Sequence, residues 1–163
     1  SAGGNLAAAM CLMAADRGGP EIALQVLIYP VTDARSDTAS YGRNAEGYSL
    51  TKTTMEWYWD QYLNSKDDAA NPYAAPLRAK SLVGQPSALV ITAEFDPLCD
   101  EGEAYAKRLT EAGVETTATR YGGMIHGFFS MGAVVDKGQE AVDEASKALR
   151  RAFARSGALG AAD

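Results

Sequence analysis

The chain has 163 residues, 47% of them apolar and 22% charged, with a formal net charge of −6. That composition suits one domain with a sizeable buried core and excludes a disordered, fibrous or disulfide-stapled chain. No basic cluster offsets the negative charge, so a nucleic-acid backbone or an anionic membrane surface is repelled, and neither is an expected partner.

From Asn5 to Asp16 the residues are mostly Leu, Ala, Met and Cys with no Gly or Pro, which predicts a helix apolar on nearly all sides and therefore buried. Gly18-Gly19-Pro20 ends it, with a left-handed glycine cap and a proline that cannot continue the helix. Ile22 to Tyr29 reads as a short strand buried on both faces, closed by Pro30. Residues 32–71 then break the rhythm. They are polar and turn-rich to Gly47, and afterwards carry Met55, Trp57, Tyr58, Trp59, Tyr62 and Leu63 on a predicted aromatic helix. Such aromatics serve core packing by default, but an insertion of this kind between sheet units can also cover a ligand pocket. Asn71 to Pro76 returns the chain through an expected extended loop.

Ser87 to Ala93 predicts a second buried strand, and Asp100-Glu101-Gly102-Glu103 has the pattern of a capping box opening a helix to Ala112. Glu103 and Lys107 form a candidate i,i+4 pair, and Gly113 a C-terminal cap. Val114 to Tyr121 is β-branched and half polar, as in a strand near a sheet edge. Val142, Ala145, Leu149, Ala152 and Phe153 mark a last amphipathic helix, after which Ser156 to Asp163 should fray. The alternation predicts an α/β fold, a mostly parallel sheet with helices on both faces. Three strands make a poor sheet alone, and the chain opens on Ser1 with a motif already under way. It is therefore expected to be the downstream part, residues 1–163, of a longer catalytic domain whose upstream part supplies further strands.

Cys11 and Cys99 lie far apart, with no CxxC and no histidine close in sequence, so neither a disulfide framework nor a metal site is expected, and no cofactor. A reduced, cytoplasmic compartment fits them. The longest apolar run, Leu6 to Ala15, is too short to cross a bilayer.

The chemistry gathers around His126, the only histidine, in Gly122-Gly123-Met124-Ile125-His126-Gly127-Phe128. Reactive groups in open α/β sheets collect at the carboxyl ends of strands. Asp96 follows the second strand, and His126 is expected in a loop five residues after the third. Ser1 stands before the first helix. A lone histidine, an Asp before Pro, or a Ser at a chain start is usually unremarkable, but Ser, Asp and His in this order at strand ends match a hydrolase triad. Asp100 loses as a rival acid through its capping role and Glu94 through its place in the strand. Cys99 has no basic neighbour to make it a nucleophile.

Ser1-Ala2-Gly3-Gly4-Asn5 resembles the later part of the nucleophile motif of bacterial hormone-sensitive-lipase-like carboxylesterases. Asn44-Ala45-Glu46-Gly47-Tyr48, Trp57 with Asp60 to Leu63, Asp96-Pro97-Leu98, Ala112-Gly113-Val114 and His126-Gly127-Phe128 are similar to the blocks that follow in that family, in the same order. The resemblance implies an α/β-hydrolase fold with a helical cap, and a serine esterase acting on short- to medium-chain acyl esters. Ser1 would be the nucleophile, Asp96 the acid and His126 the base, with the Ala2 N–H as an oxyanion donor. Ser49, Tyr58, Leu98 and Ile125 would line the pocket. It also implies a small ester substrate, the missing N-terminal part of the same protein as partner, and a homodimer through the last edge strand, Val114 to Tyr121. Two other readings stay open: a non-catalytic ligand-binding protein on the same fold, and an N-terminal-nucleophile hydrolase using the Ser1 amine.

Overall fold

A computed structural model of the chain describes residues 1–155 and residue 157. Three parallel strands, β1 (Gln25–Ile28), β2 (Ala88–Phe95) and β3 (Thr116–Ile125), form a sheet in the order β1-β2-β3. Gln25 pairs with Ala88 and Ile28 with Ile91, while Ala88 pairs with Thr116 and Phe95 with Ile125. Parallel neighbours need crossover connections, and helices supply them. Helix α1 (Ala2–Arg17) precedes β1, α2 (Ala39–Arg43) and α3 (Lys52–Tyr62) lie between β1 and β2, α4 (Cys99–Glu111) links β2 to β3, and α5 (Asp136–Arg155) follows.

Side chains alternate across β2 with the period of a strand, which divides the core between two faces. Val90 packs with Ala8 and Leu12 of α1 and Tyr105 and Leu109 of α4. Leu89, Ile91 and Ala93 pack on the other face with Ala141 and Ala145 of α5 and with Phe128. Helices thus cover both faces, as the alternation predicts. The insertion has a cluster of its own, in which Tyr41, Met55 and Trp59 close over Val31, Ala74 and Leu98. Thr51 caps α3 by accepting from the Thr54 N–H at 3.1 Å.

Several expectations are corrected. Helix α1 is not buried all round: Leu6 and Met10 are 52% and 58% exposed, because only the face carrying Ala8, Leu12 and their neighbours meets the sheet. Strand β1 is four residues long, and Val26 and Ile28 are only partly buried. The Asn71–Pro76 stretch turns, with the Asn71 carbonyl accepting from the N–H groups of Ala74 and Ala75. The pattern at Asp100–Glu103 is no capping box. Leu98 is the N-cap of α4, so Asp100 and Glu103 stand two residues too far in. Asp100 instead accepts from the Ser40 N–H and Arg43, and Glu103 pairs with Arg120 rather than Lys107, which pairs with Glu111. Ala145 of the predicted stripe of α5 is buried, but Phe153 is 41% exposed, and the unpredicted Ala141 packs inward beside Ala145. The expected fraying of residues 156–163 falls, apart from residue 157, outside the described residues.

Two buried acids cross-link the loops above β1. Asp33 binds Arg78 through both oxygens, at 3.0 and 2.8 Å, and also accepts from Arg35. Glu101, fully buried on α4, accepts from the N–H groups of Thr32 at 2.6 Å and Asp33 at 3.2 Å, while the Thr32 hydroxyl donates to the Glu101 carbonyl. Burial raises the Glu101 carboxyl to about 8 against the opposing pull of those two N–H groups, and the charges of Asp33 and Asp96 push it the same way as burial. Among the described residues no helix is long and apolar enough to cross a membrane.

The linkage has a definite sign. The folded state holds the Glu101 proton up to about pH 8 and the unfolded chain releases it from its ordinary value of 4.5, so this group lowers stability progressively as pH rises through that window. Glu101→Gln, which stays neutral in both states, is expected to gain stability relative to the unmutated protein between pH 5 and pH 8, as read by denaturant titration at each pH. Gly138 is a second sensitive point. A Cβ there would lie 2.7 Å from the Phe128 carbonyl oxygen and 2.8 Å from the Gly132 nitrogen. Gly138→Ala is expected to cost about 1–3 kcal/mol of stability by forcing α5 off that turn, measured by the same titration.

Candidate active site

The carboxyl ends of the three strands share one rim: Asp96 follows β2, His126 follows β3, and Ser1, from the start of α1, lies against the end of β1. Asp96 leaves β2 and is fully buried. Its Oδ1 accepts from the Leu98 N–H at 2.8 Å, and its Oδ2 lies 2.7 Å from His126 Nδ1. A buried carboxylate needs a donor on each oxygen, so the proton of the neutral imidazole belongs on Nδ1 and Nε2 is left with its lone pair free. The His126 side chain is 14% exposed.

His126 stands directly after β3, not five residues beyond it. The strand runs on through Gly122 and Gly123 to Ile125, with a register shift opposite Ala93 to Phe95. Gly123 makes this possible, since its φ of 77° lies where a side chain is strained, and its N–H reaches the Glu94 carboxylate at 2.6 Å. The irregular turn re-aims the end of the strand so that residue 126 faces Asp96. Tyr29, the residue after β1, packs its ring against the imidazole at a centroid distance of 4.3 Å. Its φ of 34° is rare for a bulky residue and costs about 1–3 kcal/mol, which the packing of His126 and Phe128 around the ring holds in place.

Ser1 is the N-cap of α1, yet its side chain makes no capping bond. Its nitrogen donates to the carbonyl of Ile28 at 2.5 Å, and its own carbonyl accepts from the Asn5 N–H at 3.0 Å. That seats Ser1 at the end of β1, on the same rim as the Asp96–His126 pair. No hydrogen bond joins its hydroxyl to His126 in this structure. Asn5, buried, fixes the start of the helix by donating to the carbonyls of Val31 and Ala74 at 2.9 and 2.7 Å. Ala2 is the first residue of α1, so its N–H belongs to the first turn, whose N–H groups have no intrahelical acceptor and meet the positive end of the helix dipole.

The expected pocket residues divide. Ile125 is partly buried beside His126 at the end of β3. Tyr58 is 51% exposed against Trp57, and Ser49 is exposed with a φ of 73°. Leu98 is a correction: it is fully buried among Val31, Tyr41, Met55, Trp59 and Ala74, so it packs the insertion onto the acid loop and offers no surface to a ligand. Sequence reasoning missed Tyr29 as the packing partner of His126, though its place between a strand and Pro30 put it on the rim. It also assigned no role to Asn44, which donates to the carbonyls of Glu94 and Asp96. Both cysteines are buried free thiols, and burial pushes Cys11 up to about 11 and Cys99 up to about 12. Neither is a thiolate near neutral pH. Among the described residues no three His, Cys, Asp or Glu side chains come together in a group that could hold a metal ion.

Residues 1–130 match the family described as alpha/beta hydrolase fold. The chain is 42% identical over 160 residues to the carboxylic ester hydrolase LipN of Mycobacterium tuberculosis, covering 95% of this chain and 43% of that one. It is 37% identical to an ethyl acetate hydrolase of Pseudomonas putida, covering 93% of this chain and 48% of the other. A hyperthermophilic esterase from the archaeon Pyrobaculum calidifontis superposes with a TM-score of 0.89 at 44% identity, over 93% of this chain and 50% of that structure. The chain thus spans about half the length of the curated relatives it matches. A sheet of this order, its carboxyl rim and these similarities agree, and the chain belongs to the α/β-hydrolase fold family, among the hormone-sensitive-lipase-like carboxylesterases.

Proposed function

We propose that the full-length protein is a serine carboxylesterase and that this chain carries its triad, Ser1, Asp96 and His126. The observation that supports this most directly is the 2.7 Å contact between buried Asp96 and His126 Nδ1 on the rim where Ser1 sits. The relatives named as ester hydrolases support the same reaction class.

His126 Nε2 takes the Ser1 proton as the hydroxyl oxygen attacks the ester carbonyl, and the negative charge that develops on the carbonyl oxygen is met by the Ala2 N–H at the start of α1. Asp96 holds the imidazole in the right tautomer and stabilises the imidazolium. His126 then gives its proton to the departing alcohol, which leaves an acyl group on Ser1. Water repeats the cycle and frees the acid. Tyr29, packed at a tilt against the ring, keeps the imidazole from rotating away between the two half-reactions.

The insertion formed by residues 32–71 is the candidate cap, with Tyr58, Ser49 and Ile125 as pocket residues. The exposed aromatics Trp57, Tyr58 and Tyr62 on α3 suit a compact apolar pocket for short to medium acyl chains. In the full-length protein a fluorophosphonate is expected to add once, at Ser1, and the adduct to disappear in Ser1→Ala and His126→Ala; an adduct persisting in Ser1→Ala would move the nucleophile elsewhere. Asp96→Asn is expected to lower kcat on a p-nitrophenyl ester by about 10⁴-fold without loss of fold, the effect of presenting the wrong imidazole tautomer. Retention of most turnover would remove Asp96 from the triad.

A further inference from the structure

A carboxylate can orient an imidazole only if its own main chain is held, and the main chain at Asp96 has few local means of support. β1 ends opposite Ile91, so the last residues of β2 run toward the acid without a strand on that flank. Pro97 contributes no N–H. The one local bond to the Asp96 carbonyl comes from the Cys99 N–H at 3.1 Å.

The remaining donors come from the insertion. The carboxamide of Asn44 sends its Nδ2 hydrogens to two carbonyls, that of Glu94 at 3.2 Å and that of Asp96 at 3.1 Å. A primary amide has two N–H groups set apart in one plane, which suits it to bridge acceptors two residues apart on a chain. Asn44 is itself fixed. It is buried, and its own N–H closes α2 on the Ser40 carbonyl at 2.9 Å. Four residues on, Tyr48 stacks on Phe95 with ring centroids 4.9 Å apart and planes 14° from parallel. One turn earlier, the Ser40 hydroxyl donates to the Pro97 carbonyl at 2.6 Å and accepts from the Asp100 N–H at 3.2 Å. The insertion therefore grips the chain on both sides of Asp96, and at Asp96 itself the grip is Asn44.

We propose that Asn44 is a positioning residue for the reaction: its carboxamide sets the main chain at Asp96 so that the carboxylate meets His126 Nδ1, and so ties the insertion to the triad. This rests on the triad assignment above. Ser40 is the internal control, because it binds the same loop through Pro97 and Asp100 without touching Asp96.

The test compares Asn44→Ala, Ser40→Ala and Asp96→Asn in the full-length enzyme. The readings are steady-state hydrolysis of a p-nitrophenyl ester across pH, thermal unfolding, and the proton NMR resonance of His126 Nδ1–H. Asn44→Ala is expected to lower kcat by up to about 100-fold with little change in KM, as for a small misplacement of a catalytic group, and to shift or broaden the Nδ1 proton resonance. Ser40→Ala is expected to lower the melting temperature comparably while leaving kcat and the resonance in place. The proposal is overturned if Asn44→Ala keeps both kcat and the resonance, or if the two variants lose activity in proportion to stability. Should Asn44→Ala not fold, Asn44→Asp, which keeps the shape and loses the donors, takes the same readings under the same criteria. Asp96→Asn separates this idea from the triad itself. Turnover lost there but unaffected at Asn44 leaves the triad standing without Asn44, whereas turnover retained in Asp96→Asn removes the triad and this role with it.

Discussion

Asp96 has no contact with solvent, and a buried carboxylate is tolerated only when both oxygens are hydrogen-bonded. Its partners come from different places in the fold. Leu98 N–H opens α4, His126 closes β3, and Asn44 holds the backbone from the insertion. Satisfying one acid thus requires three segments to be in register at once. The strand order brings this about, because the ends of parallel neighbours β2 and β3 lie side by side, with Tyr29 after β1 and Ser1 seated against the end of that strand on the opposite flank.

The same economy of buried polar groups recurs beneath the site. Glu101 and Asp33 bind the loop after β1 to α4 and to the turn at Arg78, and Arg108 carries the link on to the carbonyls of Leu77 and Ala79. On the other side, Thr119 and Tyr121 of β3 both donate to Glu144 of α5, so the strand that presents His126 is braced against the helix covering that face. Apolar packing sets where the layers lie. The polar cross-links set where along the rim each side chain ends, which is the finer requirement, since catalysis depends on sub-ångström placement.

Much of this could be read from the chain alone. The run of Leu89, Val90 and Ile91 between turn residues announces a buried central strand, and Gly18 and Gly113, both at positive φ after their helices, were legible as caps. Asp96 was legible because Pro97 marks the end of its strand, whereas His126 was expected in a loop five residues beyond β3. Asp100 and Glu103 were misread because a capping pattern is a statement about spacing. Their actual partners, Arg43 and Arg120, are 57 and 17 residues away.

Sequence by itself determined the alternation of strands and helices and the two-sided burial of β2. These follow from periodicity and local stereochemistry, which act over a few neighbouring residues. Only the tertiary structure decided that Leu98 is core rather than pocket, that Leu6 and Met10 are exposed, that Gly123 lets β3 run to His126, and that Asn44 supports Asp96. Each depends on contacts between segments far apart in the chain, 52 residues for Asn44 and Asp96 and 69 for Thr32 and Glu101, and no local pattern specifies which distant donor will meet a buried acceptor.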